Sequence, residues 1–284
     1  MLLIFLAQNM IMRSVTINTK NTMKLLYLLV ALVSFNLCSA QKVKTMNNGK
    51  ADRKNYYTTI PYEDIRGLVI VKVAINGKAY NFMLDTGALT TISHRLYNEL
   101  KLTSSANLDV LDSGALRDSM QVVTLPSVQV GDVAFLDTPA VVAQESPIFD
   151  CLGLDGFIGS NMLRNSAVQF SYKDKTVTIT DKPKRLNLNK KNSSKLLPDK
   201  MQSNPHLWVD IRNGDITGRE VLLFDTGMMG FYDLSIVAYE KVFKPINLYN
   251  VQHQAAGSYS MGIHGVAGSA EHYQLVAPQL ILAN

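Results

Sequence analysis

Asp85-Thr86-Gly87 and Asp225-Thr226-Gly227 are the residues of this chain whose types and setting could do chemistry. The first triplet sits inside NFMLDTGALTTIS, residues 81 to 93, and the second inside VLLFDTGMMGFYDLS, residues 221 to 235. Each Asp follows a short apolar run and precedes a small, Ser/Thr- or Gly-containing stretch. That is how a buried strand looks when it delivers a carboxylate to a tight turn. Two carboxylates brought together cannot both ionise, so one proton is held between them. The ionised partner can take a proton from water while the protonated partner polarises a carbonyl. A lone Asp-Thr-Gly is equally well an ordinary β-turn at a strand end. Two copies in one setting argue for joint action. Gly87 and Gly227 allow turns tight enough for the two loops to meet. Thr86 and Thr226 can reach across with their hydroxyls, although each also suits a strand as a β-branched residue.

The elements that must position these turns are short strands. Residues 69 to 75 alternate as VIVKVAI, and Asn76-Gly77 is a strong hairpin signal before the return strand Ala79 to Leu84. A short amphipathic helix over His94 to Lys101 would turn Leu96, Tyr97 and Leu100 inward. After a polar stretch containing Ser113-Gly114, Val122 to Val130 and Val133 to Ala143 read as strands joined at Gly131-Asp132. LDGFIGSNMLRN, residues 154 to 165, follows, and residues 167 to 180 form a hairpin turning at Lys173-Asp174.

The pattern then begins again, as an internal repeat of long period. Leu207 to Ile211 alternates, a turn occupies Asn213 to Gly218, and Val221 to Phe224 leads to Asp225. A short helix fits Ser235 to Phe243, and a Gly-rich polar stretch spans Ala255 to Ser269. LVAPQLILAN, residues 275 to 284, matches residues 124 to 132 in apolar pattern and proline placement. Nothing in the second copy corresponds to Val133 to Asp181, so the second unit is expected to be C-terminally incomplete.

Residues 1 to 40 are read apart from the fold. Lys24 precedes the apolar run Leu25 to Phe35, which leads to Cys38-Ser39-Ala40, the layout of a secretory signal peptide. Met23 makes the better start, with residues 1 to 22 an upstream extension. The expected location is therefore secreted or periplasmic, with no stable membrane association once the signal is removed. Removal takes three basic residues and no acid, so the net charge falls from +5 to +2 and a basic pI says little about nucleic acid. Cys151 becomes the sole cysteine, which excludes an internal disulfide. Its neighbours Phe149 and Leu152 favour a buried apolar role over a nucleophile. The five His residues show no metal-ligand spacing, and neither a metal nor another cofactor is expected. Residues 41 to 66 form an N-terminal segment, polar at its start. Residues 182 to 204 hold seven Lys or Arg against one acid, a solvated linker rather than a nucleic-acid patch.

MLDTGALTTIS, LFDTGMMGFYDLS and DGFIGSNMLRNSAVQF together resemble the aspartic proteases of the pepsin and retropepsin type. The resemblance covers most of residues 67 to 181 and part of 205 to 284, and short secreted bacterial members with two lobes look most similar. It implies an all-β fold of two related lobes, 67–181 and 205–284, each giving one Asp to a cleft. It implies Asp85 and Asp225 as catalytic carboxylates acting through water on peptides or unfolded proteins. In that family an element of two apolar residues and a Gly packs under the active-site loop, and Phe157-Ile158-Gly159 fits it. A flexible hairpin closing over substrate is also implied, with candidates around Ser113-Gly114 and Tyr259 to Gly265. The first lobe could alternatively pair with a second copy as a homodimer. With its second lobe incomplete, the chain could also be a peptide-binding or vestigial protein without turnover.

Overall fold

The apolar runs and glycine turns form a protein built almost wholly of strands. The computed structural model describes residues 46–111, 117–144, 146–188, 193–197, 202–230 and 232–244, with five strands between 251 and 282. All of them fall in one compact unit. The expected signal region, residues 1 to 40, lies outside the described residues.

Strands β1 (Lys50–Ala51), β2 (Tyr57–Pro61) and β3 (Glu63–Ile65) precede β4 (Leu68–Ile75) and β5 (Lys78–Asp85). The last two form the hairpin expected at Asn76-Gly77, whose φ angles of 52° and 79° fit the left-handed conformation of a two-residue hairpin turn. Next come β6 (Thr91–Ser93) and helix α1 (His94–Glu99). Ser93 caps α1, its Oγ accepting the Leu96 N–H at 3.2 Å. The helix stops at Glu99, two residues short of expectation, and Leu96 is its buried residue, with Tyr97 and Leu100 packed partly against the core.

Then follow β7 (Ala106–Leu111), β8 (Arg117–Val130), β9 (Val133–Ala143), α2 (Pro147–Leu152), β10 (Gly156–Gly159), α3 (Ser160–Leu163), β11 (Ala167–Ser171) and β12 (Thr176–Thr180). A nine-stranded sheet runs β1-β9-β6-β10-β5-β4-β8-β7, with β3 beside β4. β10 lies inside it, parallel to β5 and antiparallel to β6. A second sheet has the order β11-β12-β2.

Both faces of the large sheet are buried, which explains why its strands read as near-continuous apolar runs. Along β4, Val69, Val71, Val73 and Ile75 enter one core, while Leu68 and Ile70 enter the other. Phe82 and Leu84 alternate with Met83 in the same way, and Ile158 with Phe157. Each such side chain contributes roughly 1.5–3 kcal/mol of burial.

Three features depart from the sequence reading. Residues 50–61 of the N-terminal segment contribute strands that the sequence reading did not assign: in β2, Thr58 and Ile60 point inward and Tyr57, Thr59 and Pro61 outward. Threonine, polar by type but at ease in strands, hides that alternation. The polar stretch after α1 holds β7, and β8 begins at Arg117 rather than Val122, because the two pair from Ala106↔Val122 to Leu111↔Arg117. Cys151 is exposed, because the single short turn of α2 spends its inward positions on Ile148 and Phe149. The flap candidate at Ser113-Gly114 lies outside the described residues, as does most of Tyr259 to Gly265.

The C-terminal region holds β13 (His206–Asn213), β14 (Ile216–Leu223), α4 (Ile236–Val242), β15 (Val251–Gly257), β16 (Met261–Gly262), β17 (Gly265–Val266), β18 (Ala270–Leu275) and β19 (Gln279–Leu282). β13 pairs with β14 and β19, as β4 pairs with β5 and β8. Leu207, Val209 and Ile211 pack with Ala238, Val242 and Phe243. Ser235 caps α4 through the Ala238 N–H at 3.1 Å, repeating Ser93 on α1. The two regions differ at one edge. β5 is backed by β10, whereas β14 has β13 as its sole strand partner among the described residues.

Asn161 joins three segments of the first region. Its Oδ1 accepts the Thr90 N–H at 2.7 Å and the Thr90 hydroxyl at 2.9 Å. Its Nδ2 donates to the Met46 and Pro139 carbonyls, each at 2.9 Å. The side chain is fully buried, so truncation strands several polar groups without water. Asn161→Ala should destabilise the fold by roughly 3 kcal/mol in urea unfolding. A loss below about 1 kcal/mol would show that these groups find other partners.

Candidate active site

β5 ends at Asp85, and the register Ile158↔Leu84, Gly159↔Asp85 lays β10 alongside that end. The strand passes so close to the following loop that glycine is required. A Cβ on Gly159 would lie 2.1 Å from the Thr90 nitrogen and 2.2 Å from the Leu89 carbonyl carbon. The Gly159 N–H in turn donates to Thr90 Oγ1 at 3.2 Å. Ser160, next along, donates its hydroxyl to the Thr86 carbonyl. Phe157, Ile158 and Gly159 thus lie against the end of β5 and the Asp85 loop.

The second triplet faces the first. A Cβ on Gly87 would meet Asp225 Oδ2 at 2.3 Å, and one on Gly227 would meet Asp85 Cγ at 2.5 Å. Each glycine therefore leaves space that the opposite carboxylate occupies. The threonines lock this arrangement reciprocally. The Thr86 N–H donates to Thr226 Oγ1 and the Thr226 N–H to Thr86 Oγ1, both at 3.1 Å. The Thr86 hydroxyl donates to the Phe224 carbonyl at 2.5 Å, and the Thr226 hydroxyl to the Leu84 carbonyl at 2.7 Å. The two hydroxyls also lie within 3.4 Å of each other, so each threonine is hydrogen-bonded across the junction to the opposite loop.

Within each triplet the glycine N–H reaches back to its own aspartate. Gly87 donates to Asp85 Oδ1 at 2.9 Å and Gly227 to Asp225 Oδ1 at 2.7 Å. Asp85 is buried and Asp225 half-buried. Burial, and then the neighbouring Asp225 charge, push Asp85 up to about 7, against the pull of the Gly87 and Ala88 N–H groups. The two carboxyls face each other across the paired glycines, and a proton held between them is favoured over two adjacent negative charges. The arrangement can hold one proton across two acids at near-neutral pH.

All six residues of the two triplets come together, with Phe157, Ile158 and Gly159 beneath the first. Sequence reasoning missed Thr90, Ser160, Asn161 and Asn204. The Asn204 Nδ2 donates to the Gly87 carbonyl at 2.9 Å from within the expected linker. A polar residue buried beside an apolar-apolar-Gly strand was the available signal for Ser160 and Asn161; nothing marked Asn204. Among the described residues, no group of three or more His, Cys, Asp or Glu side chains is disposed to hold a metal ion.

A proton held by the folded chain makes stability depend on pH. Asp85 keeps its proton up to about 7, whereas an ordinary Asp releases it near 3.8. The folded state binds more protons between those values, so the advantage is full below 3.8 and lost as pH rises through about 7. Thermal unfolding should therefore show a lower Tm at pH 8 than at pH 5, and Asp85→Asn should shrink that difference. An equal pH response in the variant would place the dependence elsewhere.

Residues 71–162 match the family model described as Aspartyl protease. That span includes Asp85, its floor and Asn161; Asp225 lies outside it. A search of curated proteins finds no match. Among solved structures, the chain is similar to a retropepsin-like aspartic protease from Rickettsia conorii. The likeness is 17% in identity with a TM-score of 0.32, over 46% of this chain and 93% of that one.

Proposed function

We propose that this protein is an aspartic endopeptidase that hydrolyses peptide bonds with a water activated between Asp85 and Asp225. The observation that carries the reading is the reciprocal seating of the triplets, each glycine making room for the other's carboxylate. The singly protonated pair is the working form. Its ionised member takes a proton from the attacking water as the oxygen adds to the peptide carbonyl. Its protonated member donates to the carbonyl oxygen, giving a neutral gem-diol intermediate. The acid that took the water's proton then passes it to the leaving nitrogen, while the other carboxylate takes a proton from a gem-diol hydroxyl as the C–N bond breaks and the carbonyl re-forms, which restores the singly protonated pair. The braces keep both acids in place throughout, which orientation-dependent catalysis requires.

The hairpin of β7 and the start of β8 is the proposed flap, since exposed Arg117, Asp118 and Ser119 stand at the end of β8 that adjoins the Ser113-Gly114 stretch. Residues 1 to 40 are proposed to direct export, so that the substrates are extracytoplasmic peptides or unfolded proteins.

One observation favours a second reading. β14 has no strand beside it corresponding to β10, so among the described residues the Asp225 loop lacks the floor that supports Asp85. A pair held more loosely on one side would suit a protein that binds peptides without turning them over.

Cleavage of a quenched peptide mixture separates the two. Asp85→Asn and Asp225→Asn should each lower kcat/KM at least about a thousandfold, since each removes a reacting group. Peptide binding without measurable cleavage by the unaltered protein would select the second reading. The active protein should also give a bell-shaped pH profile, with the alkaline limb falling near 7 as the pair loses its shared proton. A rate that climbs steadily into alkaline pH would contradict the shared-proton mechanism.

A further inference from the structure

Ser203-Asn204-Pro205 ends the basic stretch read as a linker, yet it is packed into the junction of the two carboxylate loops. Asn204 is buried. Its Nδ2 donates to the Gly87 carbonyl at 2.9 Å. The Pro205 carbonyl accepts the Phe224 N–H at 2.9 Å, one residue before Asp225. Ser203, at φ 63°, donates its hydroxyl to Asn47 Oδ1 at 2.9 Å. Pro205 restricts the Asn204 backbone to extended conformations, so the side chain projects from a stiff support. The tripeptide thus touches the N-terminal segment, the Asp85 loop and the approach to Asp225.

Gly87 is held at both ends. Its N–H donates to Asp85 Oδ1 at 2.9 Å, and its carbonyl accepts from Asn204 Nδ2. A hydrogen bond from that N–H favours the charged form of Asp85, and holding the carbonyl keeps the glycine from turning the N–H away.

We propose that Asn204 is a positioning residue, which keeps the Gly87 N–H aimed at the Asp85 carboxylate by pinning the carbonyl of the same glycine. It touches no reacting atom and acts through Gly87. The role rests on the carboxylate-pair reading for its bearing on cleavage, but its own test needs no turnover. Asn204 carries no charge, and Asp225 is the titratable group that acts on Asp85. Its removal therefore changes the pair's titration through geometry alone.

The experiment is a carbon-13 NMR titration of the aspartate carboxyls in the full chain, with Asn204→Ala and Asn204→Leu beside the unaltered protein. Leucine fills the space without a donor, which guards against collapse of a cavity in the alanine variant. Losing an aimed donor weakens the charged form, so both variants should raise the upper apparent pKa of the pair by about half a unit or more. Where peptide cleavage is measurable, the alkaline limb should move up by the same amount, with kcat reduced and KM little changed. An unmoved or lowered titration in either folded variant overturns the proposal, because a purely structural asparagine would alter Tm alone. A raised titration in a protein that cleaves nothing leaves Asn204 in its role and removes the endopeptidase reading instead.

Discussion

Two carboxylates repel each other, and everything around them serves to hold them together. The reciprocal hydrogen bonds of Thr86 and Thr226 are the interaction on which the rest depends. Each threonine ties its own loop to the opposite strand end, at Phe224 or Leu84, so neither carboxylate can retreat without breaking both braces. Glycine at the next position is the complementary condition, because any side chain there would occupy the other acid's place. A shared proton then follows from proximity and burial together.

The two halves of this junction rest on unequal foundations. Asp85 closes a strand inserted between neighbours on both sides, with two extended cores above and below it. Asp225 follows a strand paired on one side, over a small core built around Leu207, Val209 and Ile211. Phe224 and Met229, which flank the second triplet, are correspondingly exposed. The braces therefore carry support mainly in one direction, from the first loop to the second. Asp225 is placed by what it grips as much as by what lies beneath it.

Much of this was legible because it depends on short-range chemistry. Asp-Thr-Gly in duplicate, the Asn76-Gly77 turn and the Phe157-Ile158-Gly159 strand each announce themselves through residue type and near neighbours. β2 was not legible, because Thr58 sets a polar side chain at an inward position; in β7, Ala106, Leu108 and Val110 do alternate with Asn107 and Asp109, but the polar residues on either side of the strand obscure it. Asn161 and Asn204 were harder still. Their roles come from hydrogen bonds to carbonyls and N–H groups 22 to 117 residues away, and any polar side chain looks alike before the chain is folded. Cys151 shows the converse error. Apolar neighbours made it look buried, whereas a single turn of helix has few inward positions to give.

The braces also bear on the time order of folding. Thr86 and Thr226 are 140 positions apart in the chain, and Asn161 reaches 115 positions back to Met46. Contacts between such distant segments form late, after local hairpins have closed and the entropy of the intervening loops has been overcome. The hairpin of β4 and β5 can fold from its own turn, and with it Asp85 exists as a lone, ordinary acid. Its altered proton affinity arises only when the second loop arrives. Whatever chemistry the pair performs is thereby confined to the fully assembled chain, and a partly folded molecule carries two separate aspartates with none of it.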